Sequence, residues 1–167
     1  MKAVADASAL LSLEYMGLLD DCTGIADIYT TGSVDQELNE IAGFRDEKSG
    51  FAKKILTLIS DGKIKRIDIK GEAKNAFMSQ CFSLCVSAKI PVMLTDDADA
   101  AYLLGKIAAQ KGIKLRMCAA LLVELIKAGK ISPQAAKGKL EELIKKRSWE
   151  GGILEVLTRR YMEEGEW

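Results

Sequence analysis

The chain has 167 residues, about half of them hydrophobic, with 24 basic and 24 acidic side chains and no histidine. A neutral chain of this composition folds around a sizeable core rather than staying disordered, and it lacks the basic excess of a general polyanion binder. Without histidine there are no Ser-His-Asp triads, Cys-His dyads or mixed zinc sites, which leaves carboxylates, lysines, hydroxyls and thiols for any chemistry.

The first element, KAVAD (2–6), reads as a strand, and it ends on Asp6, a carboxylate in a run otherwise made of Ala, Val, Leu and Ser. A charge there costs desolvation unless something positive or hydrogen-bonding meets it. Asp6 therefore either caps the turn after the strand or sits where a cation is bound. ALLSLEYMGLLDDC (9–22) reads as a helix, and ADIYTT (26–31) as a second strand closed by Gly32. SVDQELNEIAG (33–43) reads as a helix opened by a capping box of Ser33 and Gln36. On that helix Val34, Leu38 and Ile41 fall within about 60° of one another, and Glu37 lies about 60° from the middle of the stripe. It is the acid of the segment that leans most towards the core. Such a position either snorkels to water or serves a site.

GFAKKILTLISDG (50–62) is a further predicted helix, with Phe51, Ile55, Leu58 and Ile59 on one stripe. KIKRIDI (63–69) alternates as a half-exposed strand, and GEAKNAFMSQCFSLCVSAK (71–89) follows as a helix. Glu72 falls in its first turn, where the helix dipole attracts acids, and Asp68 on the preceding strand competes for any role nearby. IPVMLT (90–95) reads as a buried strand, DDADAAYLLGKIAAQKG (96–112) as a helix that Asp96 could cap, and IKLR (113–116) as the last strand. The tail, 117–164, is predicted helical, with Ser132 and Pro133 as an N-cap and first-turn pair.

This alternation predicts an α/β fold of three α/β/α layers around a mostly parallel sheet. Residues 1–167 form one domain in this reading, with 117–167 as its helical C-terminal extension. Ligands of such folds bind beyond the carboxyl ends of the strands, where Asp6, Asp96 and Asp97 fall. Carboxylates meeting at one sheet edge, with no histidine or suitably spaced thiol, call for a hard cation such as Mg²⁺ or Mn²⁺, with Asp6 as a ligand. Cys22, Cys81, Cys85 and Cys118 read as buried free thiols. With no signal-peptide pattern and no segment apolar enough to span a membrane, a cytoplasmic protein is expected.

The motifs VADAS, SVDQEL, GEAKNAF and PVMLTDDADAAYLLGKIAAQKGIK, in that order and spacing, resemble those of the PIN-domain nucleases. The resemblance runs over about residues 3–116. The tail LLVELIKAGKISPQAAKGKLEELIKKRSW is similar to the C-terminal helices of prokaryotic, VapC-like members. The resemblance implies that Asp6, Glu37, Glu72 and Asp97 are the four family acids, Glu72 through "GEA" and Asp97 through the Thr-x-Asp pattern at Thr95. It implies metal-dependent hydrolysis of phosphodiesters, mainly RNA, with Asp6 and Asp97 as principal ligands of Mg²⁺ or Mn²⁺. Glu37 would complete the site directly or through water, Glu72 would be an outer ligand, and Ser8 and Thr95 would orient the carboxylates. Whether Asp96 or Asp97 faces the metal stays open at this point.

The resemblance also implies a homodimer, and an antitoxin partner if the chain is the toxin of a toxin–antitoxin pair. The apolar residues of the 9–22 and 50–62 helices could supply the dimer surface or be ordinary core. A phosphatase of the haloacid dehalogenase type would need a second Asp where Ser8 stands. The serious rival is a PIN-fold binding module for RNA or a protein partner, with an incomplete metal site.

Overall fold

The apolar run after Lys2 becomes the middle strand of a five-stranded sheet in the computed structural model, which describes residues 1–69 and 80–164. The strands are β1 (Lys2–Ala5), β2 (Asp27–Thr31), β3 (Ile64–Ile67), β4 (Val92–Leu94) and β5 (Lys114–Arg116). Their order is β3-β2-β1-β4-β5, and all neighbours pair in parallel. Val4 lies opposite Tyr29 on one side and Met93 on the other. Ala3, Val4 and Ala5 are completely buried, as an unbroken apolar run between two neighbours requires.

The helices among the described residues are α1 (Ala7–Tyr15), α2 (Leu19–Thr23), α3 (Gly32–Ala42), α4 (Glu47–Ser60), α5 (Gln80–Ala88), α6 (Ala98–Gln110), α7 (Ala119–Lys127), α8 (Pro133–Lys146) and α9 (Ile153–Glu164). The chain crosses the sheet one way from β1 to β3 and returns the other way from β4 to β5. Right-handed crossovers then set α1, α3 and α4 on one face and α5 and α6 on the other. The packing agrees: α4 lies against α1 and α3, while α5 lies on β1, β2 and β4, and α6 on β5. The three-layer α/β/α arrangement is therefore present, and the sheet is wholly parallel.

Local departures from the sequence reading have physical causes. The 9–22 helix is broken at Gly17, whose φ of 67° only glycine adopts readily, and so becomes α1 and α2. The Ser33–Gln36 capping box does not form, because α3 begins one residue earlier with Thr31 as its N-cap. The Thr31 and Ser33 hydroxyls bond each other at 2.9 Å, and Gln36 donates to Glu40 instead. Helix α4 starts ahead of its predicted span, where Asp46 accepts the Ser49 N–H at 2.8 Å. Of the predicted 71–89 helix, Gln80–Ala88 is described. In the tail, Ser132 caps α8 through the Ala135 N–H, with Pro133 in the first turn as expected.

The tail is part of the core: Leu121, Leu122, Leu125, Leu140, Leu143 and Trp149 join the same apolar cluster as the sheet. The apolar residues of α1 and α4 are core as well. Neither helix carries an exposed large hydrophobic side chain. No helix among the described residues is long and apolar enough to cross a membrane.

Candidate functional site

From β1 the chain proceeds to β2 on one side, and from β4 to β5 on the other, so the β1–β4 boundary is the switch point of the topology. A cleft opens at the carboxyl ends of two such strands. Asp6 directly follows β1, and Thr95, Asp96 and Asp97 directly follow β4. The Asp6 N–H donates to the Leu94 carbonyl at 3.1 Å, which ties the two strand ends together.

Asp6 is the N-cap of α1. Its Oδ1 accepts the Ser8 hydroxyl at 2.6 Å and the Ala9 N–H at 3.0 Å. Burial pushes its carboxyl above the usual range, against the hydroxyls of Ser8 and Thr95 and the Ala9 N–H, and the charge of Asp97 pushes it further. Asp6 therefore caps a helix, and its hydrogen bonds do not offset the cost of burying its charge. Ser8 links the two loops, because its hydroxyl also accepts the Asp96 N–H at 2.8 Å. Thr95 is buried; its N–H donates to the Arg116 carbonyl at 2.9 Å, and its hydroxyl accepts the Asp97 N–H at 3.2 Å.

The Asp96–Asp97 doublet divides in two directions. Asp97 is exposed and caps α6, its Oδ1 accepting the Asp99 and Ala100 N–H groups at 2.9 and 3.0 Å. Asp96 is buried under the start of α7, where its Oδ1 accepts the Cys118 N–H at 2.8 Å. The other oxygen, Oδ2, is buried without a hydrogen-bond partner, and burial pushes this carboxyl up. Of the doublet, Asp97 is the member that solvent and a cation can reach.

Glu37 stands on the exposed side of α3. Partial burial raises its carboxyl first, then the charge of Asp6, with Asp97 adding a smaller push and Lys48 opposing. The charges of Asp6, Glu37 and Asp97 thus bear on one another from three separate elements. Glu72 lies outside the described residues. Among the described residues, no lysine or arginine pairs with Asp6, Glu37 or Asp97. None of the described His, Cys, Asp or Glu residues form a group of three or more that could already enclose a metal ion. In kind, the donors fit a hard divalent cation: they are oxygens only, and their mutual repulsion is what such a charge relieves.

Two residues here were not visible from the sequence. Lys48 acts on the charge of Glu37 only because α4 folds back on α3. Cys118 meets Asp96 across 22 residues of chain. No local pattern signals either contact. The four cysteines are free and buried, with thiols pushed up by burial, Cys22, Cys81 and Cys85 to about 12, so none is a ready nucleophile.

No protein-family model matches the chain, and no curated protein matches it significantly.

Proposed function

We propose that the chain is a metal-dependent ribonuclease of the PIN type, working at the β1–β4 edge. One observation carries this reading. A helix-capping carboxylate, Asp6, lies at the switch point of a parallel sheet, with the charge of Asp97 acting on it, its own charge acting on Glu37, and no cation among the described residues paired to any of the three. An arrangement that raises the free energy of the protein by itself is characteristic of a site that binds something positive.

Asp6 and Asp97 would hold Mg²⁺ or Mn²⁺, with Glu37 completing the set directly or through water. Bound there, the ion supplies an activated water and charge stabilisation at the phosphate. The protein's own part is orientation. Ser8 fixes the Asp6 carboxylate from one side and receives the Asp96 N–H from the other, so the β1 and β4 loops keep a constant spacing. Thr95 does the same for the Asp97 backbone. Lys48, beside Glu37, offers a cation to an RNA phosphate entering from the α3–α4 side.

The test is Mn²⁺ and Mg²⁺ titration calorimetry on the wild type and on the Asp6→Asn/Asp97→Asn double variant, with cleavage of single-stranded RNA followed in parallel. Binding and cleavage in the wild type, both lost in a variant that still melts cooperatively, are expected. A wild type that neither binds metal nor cleaves RNA would remove the enzyme reading and leave a binding module of the same fold.

A further inference from the structure

The turn between α3 and α4 leaves a phenylalanine in water. Phe44 is 64% exposed and stands outside the apolar cluster, whereas Phe51 packs on Tyr15 with ring centroids 4.5 Å apart. Gly43 keeps a right-handed helical conformation and the Phe44 N–H donates to the Ile41 carbonyl at 3.1 Å, so the coil of α3 runs on to Phe44. Seven residues at about 100° each return Phe44 to roughly the side of Glu37, about 10 Å farther along the axis. The ring therefore flanks the proposed metal site. The charges of the same turn are sorted. Its acids are engaged: Asp46 accepts the Ser49 N–H at 2.8 Å, Glu47 is paired with Lys146 at 3.2 Å, and Glu40 accepts from Gln36 at 3.2 Å. Its bases are not: Arg45 is exposed, Lys48 is half-buried, and neither has an ion-pair partner among the described residues.

We infer that Phe44 is a stacking platform for one base of a single-stranded RNA, with Arg45 and Lys48 on the adjoining phosphates, and that it sets the strand's position over the β1–β4 edge. The chemistry selects this occupant. One isolated ring is too small a patch to seat a protein, but it matches the face of a single nucleobase. The unpaired cations on either side of it suit the phosphates that such a base carries with it. The inference rests on the ribonuclease reading and adds to it a preference for unpaired RNA, because a base stacked within a duplex has no free face to offer.

The test is fluorescence anisotropy of a labelled single-stranded oligoadenylate on the full chain, with Ca²⁺, which takes the same oxygen ligands, in place of Mg²⁺ so that binding is read apart from cleavage. A second probe of equal length and charge carries abasic spacers in place of bases. The wild type is expected to favour the oligoadenylate. Phe44→Leu, which keeps an apolar side chain at an exposed position but removes the ring, should bind it on the order of tenfold more weakly and lose the preference for bases. Phe44→Trp should retain both. Arg45→Ala should weaken both probes alike and flatten the salt dependence. Mn²⁺ affinity and melting curve should be unchanged in the Phe44 variants. A wild type that binds neither probe, a Phe44→Leu variant that still favours bases as the wild type does, or one that loses Mn²⁺ affinity would each overturn the inference. Ring-dependent binding without any cleavage in Mg²⁺ or Mn²⁺ would sink the nuclease reading and keep the platform. Cleavage with an unchanged KM in Phe44→Leu would do the reverse.

Discussion

Along β2 and β3, Asp27 sits against Lys65, Asp20 against Lys63 at 2.6 Å, and Asp35 and Asp68 share Arg66 at 3.0 and 3.1 Å. Lys65 and Arg66 hold the Asp27 and Asp68 carboxyls below the usual range. At the β1–β4 boundary the direction is reversed: Asp6 and Glu37 are pushed up, by burial and by each other's neighbourhood of acids. The chain has as many bases as acids, so the difference is one of placement. Ordinary surface acids on this sheet are matched with cations, whereas those at the switch point are not. Acids kept at a cost to the fold point to binding or chemistry.

The largest effect is expected at Asp96, the acid of the β1–β4 edge that has turned inward. Asp96→Ala leaves the Cys118 N–H without its acceptor under the first turn of α7. A loss of about 1–3 kcal/mol is expected, which in a domain of this size lowers the melting temperature by about 2–4 °C for each kcal/mol. Asp96→Asn keeps the shape and the acceptor and should melt close to the wild type, because burial penalises the charge that Asn lacks. An Asn variant as damaged as the Ala variant would mean that Asp96 is held as a charge, and it would rejoin the candidate ligands.

Asp6→Asn tests the contrast directly. The folded pKa of Asp6 lies above that of the unfolded chain. Its contribution is therefore favourable below the ordinary carboxylate range and is lost as pH rises through the raised value. Without added metal at neutral pH, the variant should melt a few degrees above the wild type, about the size of a single favourable contact. Asn caps a helix as well as Asp, so nothing is lost there. The gap should close as pH falls through the raised value, where the wild-type carboxyl takes up its proton. Adding Mn²⁺ should raise the wild-type melting temperature and leave the variant unmoved. Equal melting of the two proteins at neutral pH would show that Asp6 is an ordinary cap.

Much of this was legible in the sequence where the signal was local. Alternating apolar runs and helical periods gave the α/β layers, and Asp6 stood out because a charge in a buried run has few explanations. The doublet could not be resolved, because Asp96 and Asp97 differ by one residue and their orientation depends on Cys118, 22 positions away. Glu37 sat on the border of its helical stripe, and only the packing of α4 on α3 fixes what surrounds it. Ser33 and Gln36 matched a capping box that the chain does not use, since Thr31 had already started the helix. Composition could not reveal the exposed face of α6 either. Only the packing of the helix shows that Tyr102 and Leu103 lie on its uncovered side.

The smallest effect belongs to the paired flank. Lys65→Ala removes the ion pair to Asp27 and a cation–π contact to Tyr29 at 5.3 Å. Both partners are solvent-exposed, so salt screens the pair and holding the side chain in place offsets most of the remainder. No measurable change in melting temperature is expected at physiological salt, and only a slight fall at low salt. Asp27, with its pKa lowered, should contribute above the ordinary carboxylate range and lose that contribution as pH falls, the opposite slope to Asp6. If thermal melts showed Lys65→Ala to be as consequential as Asp6→Asn, the two flanks would not differ in kind. The unpaired acids would then lose their main claim to a purpose beyond the fold.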